Sequence, residues 1–340
     1  MSPRRAHGQR GAALLLAMLI LTLVATFAAA MLWQQWRAIE VEGAERARAQ
    51  AAWLIEGTSD WARIILREDA RSASGKPPVD SSDENWAIPL RDAKLSDFLA
   101  TDRNQTDLGG IEATLSGQIV DAQSRFNLRN LVPEDATEEE EDETQTPEQI
   151  KAAKERREAP LRALRRLCSQ LGLAEEVADR INTAMQGLAA RPRNAQGGIS
   201  SAATGAVAPQ RPAQLAWLGL DAATVQRLTP YVVVLPTRTP VNVNTTSAEV
   251  LAAVFDGLDR GSAERVLRGR PAGGYPSLDA VKQQLGGNLT PNATALAVSS
   301  SFFEIVGELR YDRYVLREQT LVQRRAQDVV VLRRERLPLE

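Results

Sequence analysis

The chain has 340 residues, and its 41 Lys and Arg against 43 Asp and Glu give a net charge of −2. That balance leaves no global basic field to attract nucleic acid, and the length suggests about two domains of roughly 150 residues each. A single cysteine, Cys168, rules out an intramolecular disulfide or a zinc cluster, and the single histidine, His7, precedes the first apolar run, so no histidine base or histidine metal site exists in the folded body.

The first element is an uncharged run over residues 12–33, opened by Arg10 and Gly11. About 20 apolar residues at roughly 1.5 Å each span a bilayer core of about 30 Å. Arg4, Arg5 and Arg10 favour a cytoplasmic N-terminus, and Trp33 and Trp36 fall where the far interface would lie, which puts the remainder in the periplasm of a bacterial cell. A cleaved signal peptide is the alternative, with its apolar region over 14–27 and small residues at Ala28-Ala29-Ala30. Against it, apolar or small residues recur at Trp36, Ile39, Gly43, Ala47, Ala51, Leu54, Thr58, Trp61 and Ile65, and no proline occurs between Pro3 and Pro77. Run and stripe read as one helix of about 60 residues, over 12–71, which a signal peptide has no reason to form.

A basic residue and a glycine before a long apolar helix resemble the leader of prepilins, which prepilin peptidase cuts after the glycine. The resemblance implies a leader over 1–11 and a cut between Gly11 and Ala12. Pilins and pseudopilins carry a glutamate at the fifth mature position, where it is thought to pair with the N-terminal amine of a neighbouring subunit. Counted from Ala12, that position is Leu16. A charge in lipid costs several kcal/mol and persists only with a partner. A subunit at a filament tip has no neighbour above it to supply one. In this respect the chain resembles the K-type minor pseudopilins of type II secretion, the general secretion pathway protein K class.

Residues 72–110, rich in Ser, Asp, Pro and Gly, read as a loop with room for two short helical pieces. The stretch 110–131 reads as two strands turning at residues 121–124, because Ile111, Ala113 and Leu115 alternate with polar residues. It ends in the word RFNLRNL, close to the family's; Arg129 replaces the usual second asparagine. The acidic run over 133–149, densest at 134–143, reads as a solvated linker, since like charges repel and nothing apolar can be buried there. Leu161, Leu164, Leu167, Cys168 and Leu171 mark one face of a helix that Gly172 ends, and Cys168 reads as a packed thiol. A second helix runs over 175–185, a Gly/Ala/Pro/Ser loop over 187–214, and a short helix over 215–228. The family usually carries an aspartate-rich stretch in this loop, which implies bound calcium. Calcium takes six to eight oxygen ligands, and no Asp or Glu occurs between Asp179 and Asp221. The expectation here is therefore no calcium and no other cofactor.

The stretch 240–267 matches the family strongly and reads as a helix-hairpin-helix unit. Asn244 or Thr245 is expected to cap a helix starting near Ser247, with Glu249 closing a capping box; Leu251, Val254 and Phe255 form its apolar face, and Asp256-Gly257 makes the hairpin. A further helix falls within 275–285. In DNA-binding hairpins the backbone amides hold a phosphate. Asp256 and Asp259 flank this one and would repel it, so packing is expected and nucleic acid is not. Three strands follow between 302 and 336, rich in β-branched and aromatic residues.

These elements predict an α+β fold: a pilin-like long N-terminal helix on an antiparallel sheet, with a large α-helical insertion between strands, SAM-like over 150–235 and helix-hairpin-helix over 240–290. The expected division is 1–11, 12–71, 72–131, 132–298 and 299–340, with the insert as the fourth piece. The resemblance implies a non-enzymatic subunit of the pseudopilus tip. It would be single-pass in the inner membrane, assembling with I-type and J-type minor pseudopilins, the H-type as a further candidate, and the major pseudopilin. The rival readings are a membrane-anchored helix-hairpin-helix protein of a DNA-uptake system and a carboxylate-dependent periplasmic hydrolase, the latter without a supporting motif.

Overall fold

A computed structural model describes residues 10–72, 78–94, 113–132, 146–189, 209–286, 294–311, 314–326 and 328–338. The acidic run over 134–143 and most of the loop over 187–214 lie outside these residues. The first element is a single helix of 63 residues, α1 (Arg10–Ser72). At roughly 1.5 Å per residue it is about 95 Å long. After it come β1 (Leu90–Lys94), β2 (Ala113–Asp121) and a two-residue β3 (Phe126–Asn127). The helical block contains α2 (Pro147–Gln170), α3 (Glu175–Ala189), α4 (Ala222–Leu228), α5 (Ala248–Val254), α6 (Arg260–Arg268) and α7 (Leu278–Gln284). Short strands β4 (Val232–Val233), β5 (Val241–Asn242) and β6 (Leu296–Ala297) punctuate it. The chain then closes with β7 (Phe302–Tyr311), β8 (Tyr314–Arg325) and β9 (Asp328–Leu337).

Among the described residues the first half of α1 is uncovered: Leu14, Leu19, Phe27, Trp33 and Ile39 are all exposed. Among the described residues it is the one helix long and apolar enough to cross a membrane. The second half lies on a five-stranded antiparallel sheet ordered β1-β2-β7-β8-β9. Its buried line is Ala51, Ile55, Ser59, Ala62 and Leu66, packed on Phe303, Ile305, Leu309, Tyr311 and Val322. This corrects the stripe expected from the sequence by one residue from Leu54 onward: Trp61 is 41% exposed, and Trp36 and Ile39 are exposed too. Small side chains let the helix approach closely. A Cβ added at Gly307 would stand 3.3 Å from the Thr58 hydroxyl. Polar contacts fix the register along the helix: Ser59 meets Thr320 at 3.3 Å, and Arg334 bridges Glu56 at 2.6 Å and Glu318 at 3.2 Å.

Two further strand expectations need correction. The second strand expected within 110–131 does not join the sheet; β3 is a short parallel pairing with β4. The fifth sheet strand is instead β1, inside the stretch read as a loop. Its sequence, Leu-Arg-Asp-Ala-Lys, lacks apolar alternation because an edge strand buries little.

β2 and β7 pair from Ala113↔Tyr311 to Asp121↔Phe303, so everything from 122 to 301 leaves and re-enters the sheet at one end. This insert has its own core, in which Leu164, Leu167, Cys168, Ile181, Leu228, Leu251, Val266 and Val281 are all buried. Cys168 sits on the apolar face as expected, and burial, helped by Asp179, pushes its thiol up to about 11.

Candidate functional site

Asp121 ends β2 at this doorway and is fully buried, as the N-cap of a 3-10 turn over Ala122–Ser124. Its Oδ1 accepts the Gln123 N–H at 2.8 Å. Its Oδ2 accepts Ser300 Oγ at 2.6 Å, Thr245 Oγ1 at 2.6 Å and Asn242 Nδ2 at 2.9 Å. Burial raises the Asp121 pKa above the usual carboxylate range, against the pull of these four donors. The donors Gln123 and Ser300 stand at the insert's two ends, next to β2 and β7, while Asn242 and Thr245 come from deep within it, so one carboxylate joins insert to sheet.

A second carboxylate extends the joint. Asp80 accepts the Ser300 N–H at 2.7 Å and Arg324 Nη2 at 2.5 Å, and its own carbonyl accepts Asn242 Nδ2 at 3.0 Å. Arg324, at the end of β8, also reaches Asp69 on α1 at 2.8 Å and lies 4.9 Å from the Phe303 ring centroid. The end of α1, the segment after it, two sheet strands and the insert therefore meet in one hydrogen-bonded cluster. Asp69, Asp80 and Glu84 bring carboxylate oxygens within 4.8 Å of one another, and Arg324 pairs with two of them, Asp69 and Asp80.

The RFNLRNL word ties the insert's entry to its later segment. Asn127 accepts from Arg129 N at 3.0 Å and Leu235 N at 3.1 Å, and Asn130 exchanges two bonds with the Thr239 backbone at 2.8 and 3.0 Å. Arg129 takes part through its backbone N–H, so the departure from the family word leaves the turn intact. Neither Asn244 nor Thr245 is the helix cap, which corrects the expectation; the Asn244 side chain holds the Tyr275 N–H at 2.7 Å and the Tyr275 carbonyl at 3.1 Å, and the Thr245 hydroxyl is bonded to Asp121. Ser247 caps α5, accepting Val250 N at 3.4 Å, and Glu249 pairs with Arg260 at 2.9 Å. Sequence reasoning missed this joint. Its one clue was Val241-Asn242-Val243-Asn244, where asparagines alternate with valines in a run otherwise fit for a core.

The hairpin carboxylates are engaged within the fold. Asp256 pairs with Arg166 of α2 at 2.7 Å, and Asp259 caps α6 by accepting Ser262 N at 2.7 Å. The carboxylates bordering the loop where the family's calcium would sit are engaged too. Asp179 pairs with Arg165 at 2.7 Å, and Asp221 accepts Thr224 N at 2.9 Å as the cap of α4. Gly11, Ala12 and Leu16 lie in the first turns of α1, apart from the joint, and Leu16 is 61% exposed in the uncovered apolar half.

Residues 124–237 and 241–299 match two family models, each described as type II secretion system (T2SS), protein K. The chain is 32% identical over 330 residues to the type II secretion system protein K of Klebsiella pneumoniae, spanning 92% of this chain and 94% of that one. It is 29% identical over 320 residues to the protein of that name from Pseudomonas aeruginosa, spanning 89% and 85%. Its fold resembles a chain in the crystal structure of the GspK-GspI-GspJ complex from the enterotoxigenic Escherichia coli type 2 secretion system, with a TM-score of 0.62 at 19% identity, over 87% of this chain and 99% of that one.

Proposed function

The chain belongs to the protein K family of the type II secretion system, the K-type minor pseudopilins, and on that premise we propose that it caps the tip of the pseudopilus. Its partners there are the I-type and J-type heads, with the H-type and the major pseudopilin below. Prepilin peptidase cuts after Gly11, leaving Ala12 as the mature N-terminus. The apolar half of α1 anchors the protein once in the inner membrane, and the head stands in the periplasm. The role is assembly rather than catalysis, without calcium in the 187–214 loop and without nucleic acid.

The observation that carries this reading is Leu16, an apolar side chain in the span where a filament-interior subunit carries a glutamate. The insert supports it. Joined to the sheet through Asp121 and Asp80, it makes the head too bulky to repeat along a filament. Trp36 and Ile39, exposed between the membrane span and the head, suit contact with partner helices. Quantitative blotting of sheared pseudopili tests the proposal. The protein is expected as a trace component beside the major pseudopilin; near-equal amounts along the filament would overturn the tip assignment.

A further inference from the structure

α1 lies over β7, β8 and β9, so the same face of the sheet runs on beside the helix toward β2 and β1. A cleft of about 830 Å³ occupies that position. Ile65 of α1 forms one wall, Trp86 and Ile88 ahead of β1 form the other, and Leu115 and Ile119 of β2 make the floor. Ile88 is 66% exposed at the rim. The volume falls within the range of roughly 300–1,000 Å³ typical of binding clefts.

One end of the cleft is acidic. Glu68, Asp69, Asp83 and Glu84 line it, and among the described residues the lining contains no Lys or Arg. Arg324 engages Asp69 and Asp80, and Arg71 stands 3.7 Å from Glu68 in an exposed pair along α1. Glu84 is held by neutral donors, the Trp86 indole N–H at 2.5 Å and the Ser81 N–H at 3.1 Å. Burial, with Asp69 and Asp80 nearby, pushes its carboxyl up to about 7. Apolar walls with carboxylates at one end complement a helix face of apolar side chains with a basic residue at its end.

We propose that this cleft is a docking site for an amphipathic helix of a partner minor pseudopilin head, whose Lys or Arg seats between Glu68 and Glu84. The proposal rests on the assembly reading above. It is tested with the full chain in detergent, co-expressed with its cognate I-type and J-type partners and carrying a photo-crosslinking amino acid at Ile88 or, as control, at the exposed Arg268. Ile88 is expected to crosslink a partner peptide that contains Lys or Arg, and Arg268 is not. Ile88→Asp and Glu68→Lys should each weaken the complex by about tenfold or more, with the melting temperature of the isolated chain unchanged. The proposal is overturned if Ile88 crosslinks residues 95–112 of its own chain or a second copy. It is overturned equally if both variants assemble like wild type. A wild-type chain that binds neither partner would instead defeat the assembly reading itself.

Discussion

Asp121→Ala tests whether one carboxylate holds the insert to the sheet. The four donors differ in what they lose. Asn242 Nδ2 keeps the Asp80 carbonyl at 3.0 Å and Ser300 Oγ at 3.1 Å. The Ser300 and Thr245 hydroxyls can rotate but lose a charged acceptor, worth about 1.5–3 kcal/mol for each such bond before relaxation. The Gln123 N–H has no alternative in a site whose aspartate is 2% exposed, and a stranded buried donor costs about 1–3 kcal/mol. After partial relaxation of the hydroxyls, the sum is about 3–5 kcal/mol. Asp121→Asn keeps the volume and most acceptor contacts, and turns one donor against another, for about 1–3 kcal/mol. Urea unfolding of the full chain in detergent, followed by tryptophan fluorescence, measures both. Thr245→Val combined with Asp121→Ala should fall short of additivity, because the two share one bond. An Asp121→Ala cost below about 1 kcal/mol, or equal to that of Asp121→Asn, would refute the argument.

N-terminal sequencing of protein from membranes should begin at Ala12, and a bulky substitution at Gly11 should leave the uncut chain; a start at Met31 would restore the signal-peptide reading. Leu16→Glu places a carboxylate without a partner in the bilayer, at about 2–3 kcal/mol on insertion scales, so secretion should not improve; improved secretion in an enzyme-export assay would contradict the tip model. Glu84 titrates at about 7 in the fold against an ordinary 4.5. Its protonated form favours folding fully below the ordinary value, and that contribution is lost as pH rises through about 7. Wild type should therefore lose about 1–2 kcal/mol relative to Glu84→Gln between pH 5 and 8 in urea titrations, the figure being reduced because the group is partly solvated. Calcium should not raise the melting temperature through the 187–214 loop, where a bound ion at a hundred times its dissociation constant would add about 2.7 kcal/mol.

The parts legible in the sequence are those set by neighbours in the chain. α1 follows from a long proline-free run, α2 from leucines in steps of three and four ending at Gly172, which stands at φ 64°. β7 to β9 follow from β-branched residues between polar turns. The rest depends on distant partners. The one-residue slip on α1 arises because Ser59 is buried against Thr320 on a strand 261 residues away, while larger Trp61 is turned outward. β1 was hidden because an edge strand needs no alternation.

The joint shows the same limit in stronger form. Asp121 and Ser300 are 179 positions apart, and Asp80 and Arg324 are 244 apart. No spacing rule can link them. Yet the topology requires something there. When 122–301 leaves and re-enters the sheet between two adjacent strands, its entry and exit must lie side by side, and the backbone groups freed at both points need partners away from water. Asp121 at the end of β2 and Ser300 just before the re-entry meet that need at the doorway, and Asn242 and Thr245 meet it from deeper in the insert. An apolar joint of the same volume would bury the surface but leave Gln123 N and Ser300 N without acceptors. The carboxylates are thus the form of closure that lets a pilin-like sheet carry a second core of its own.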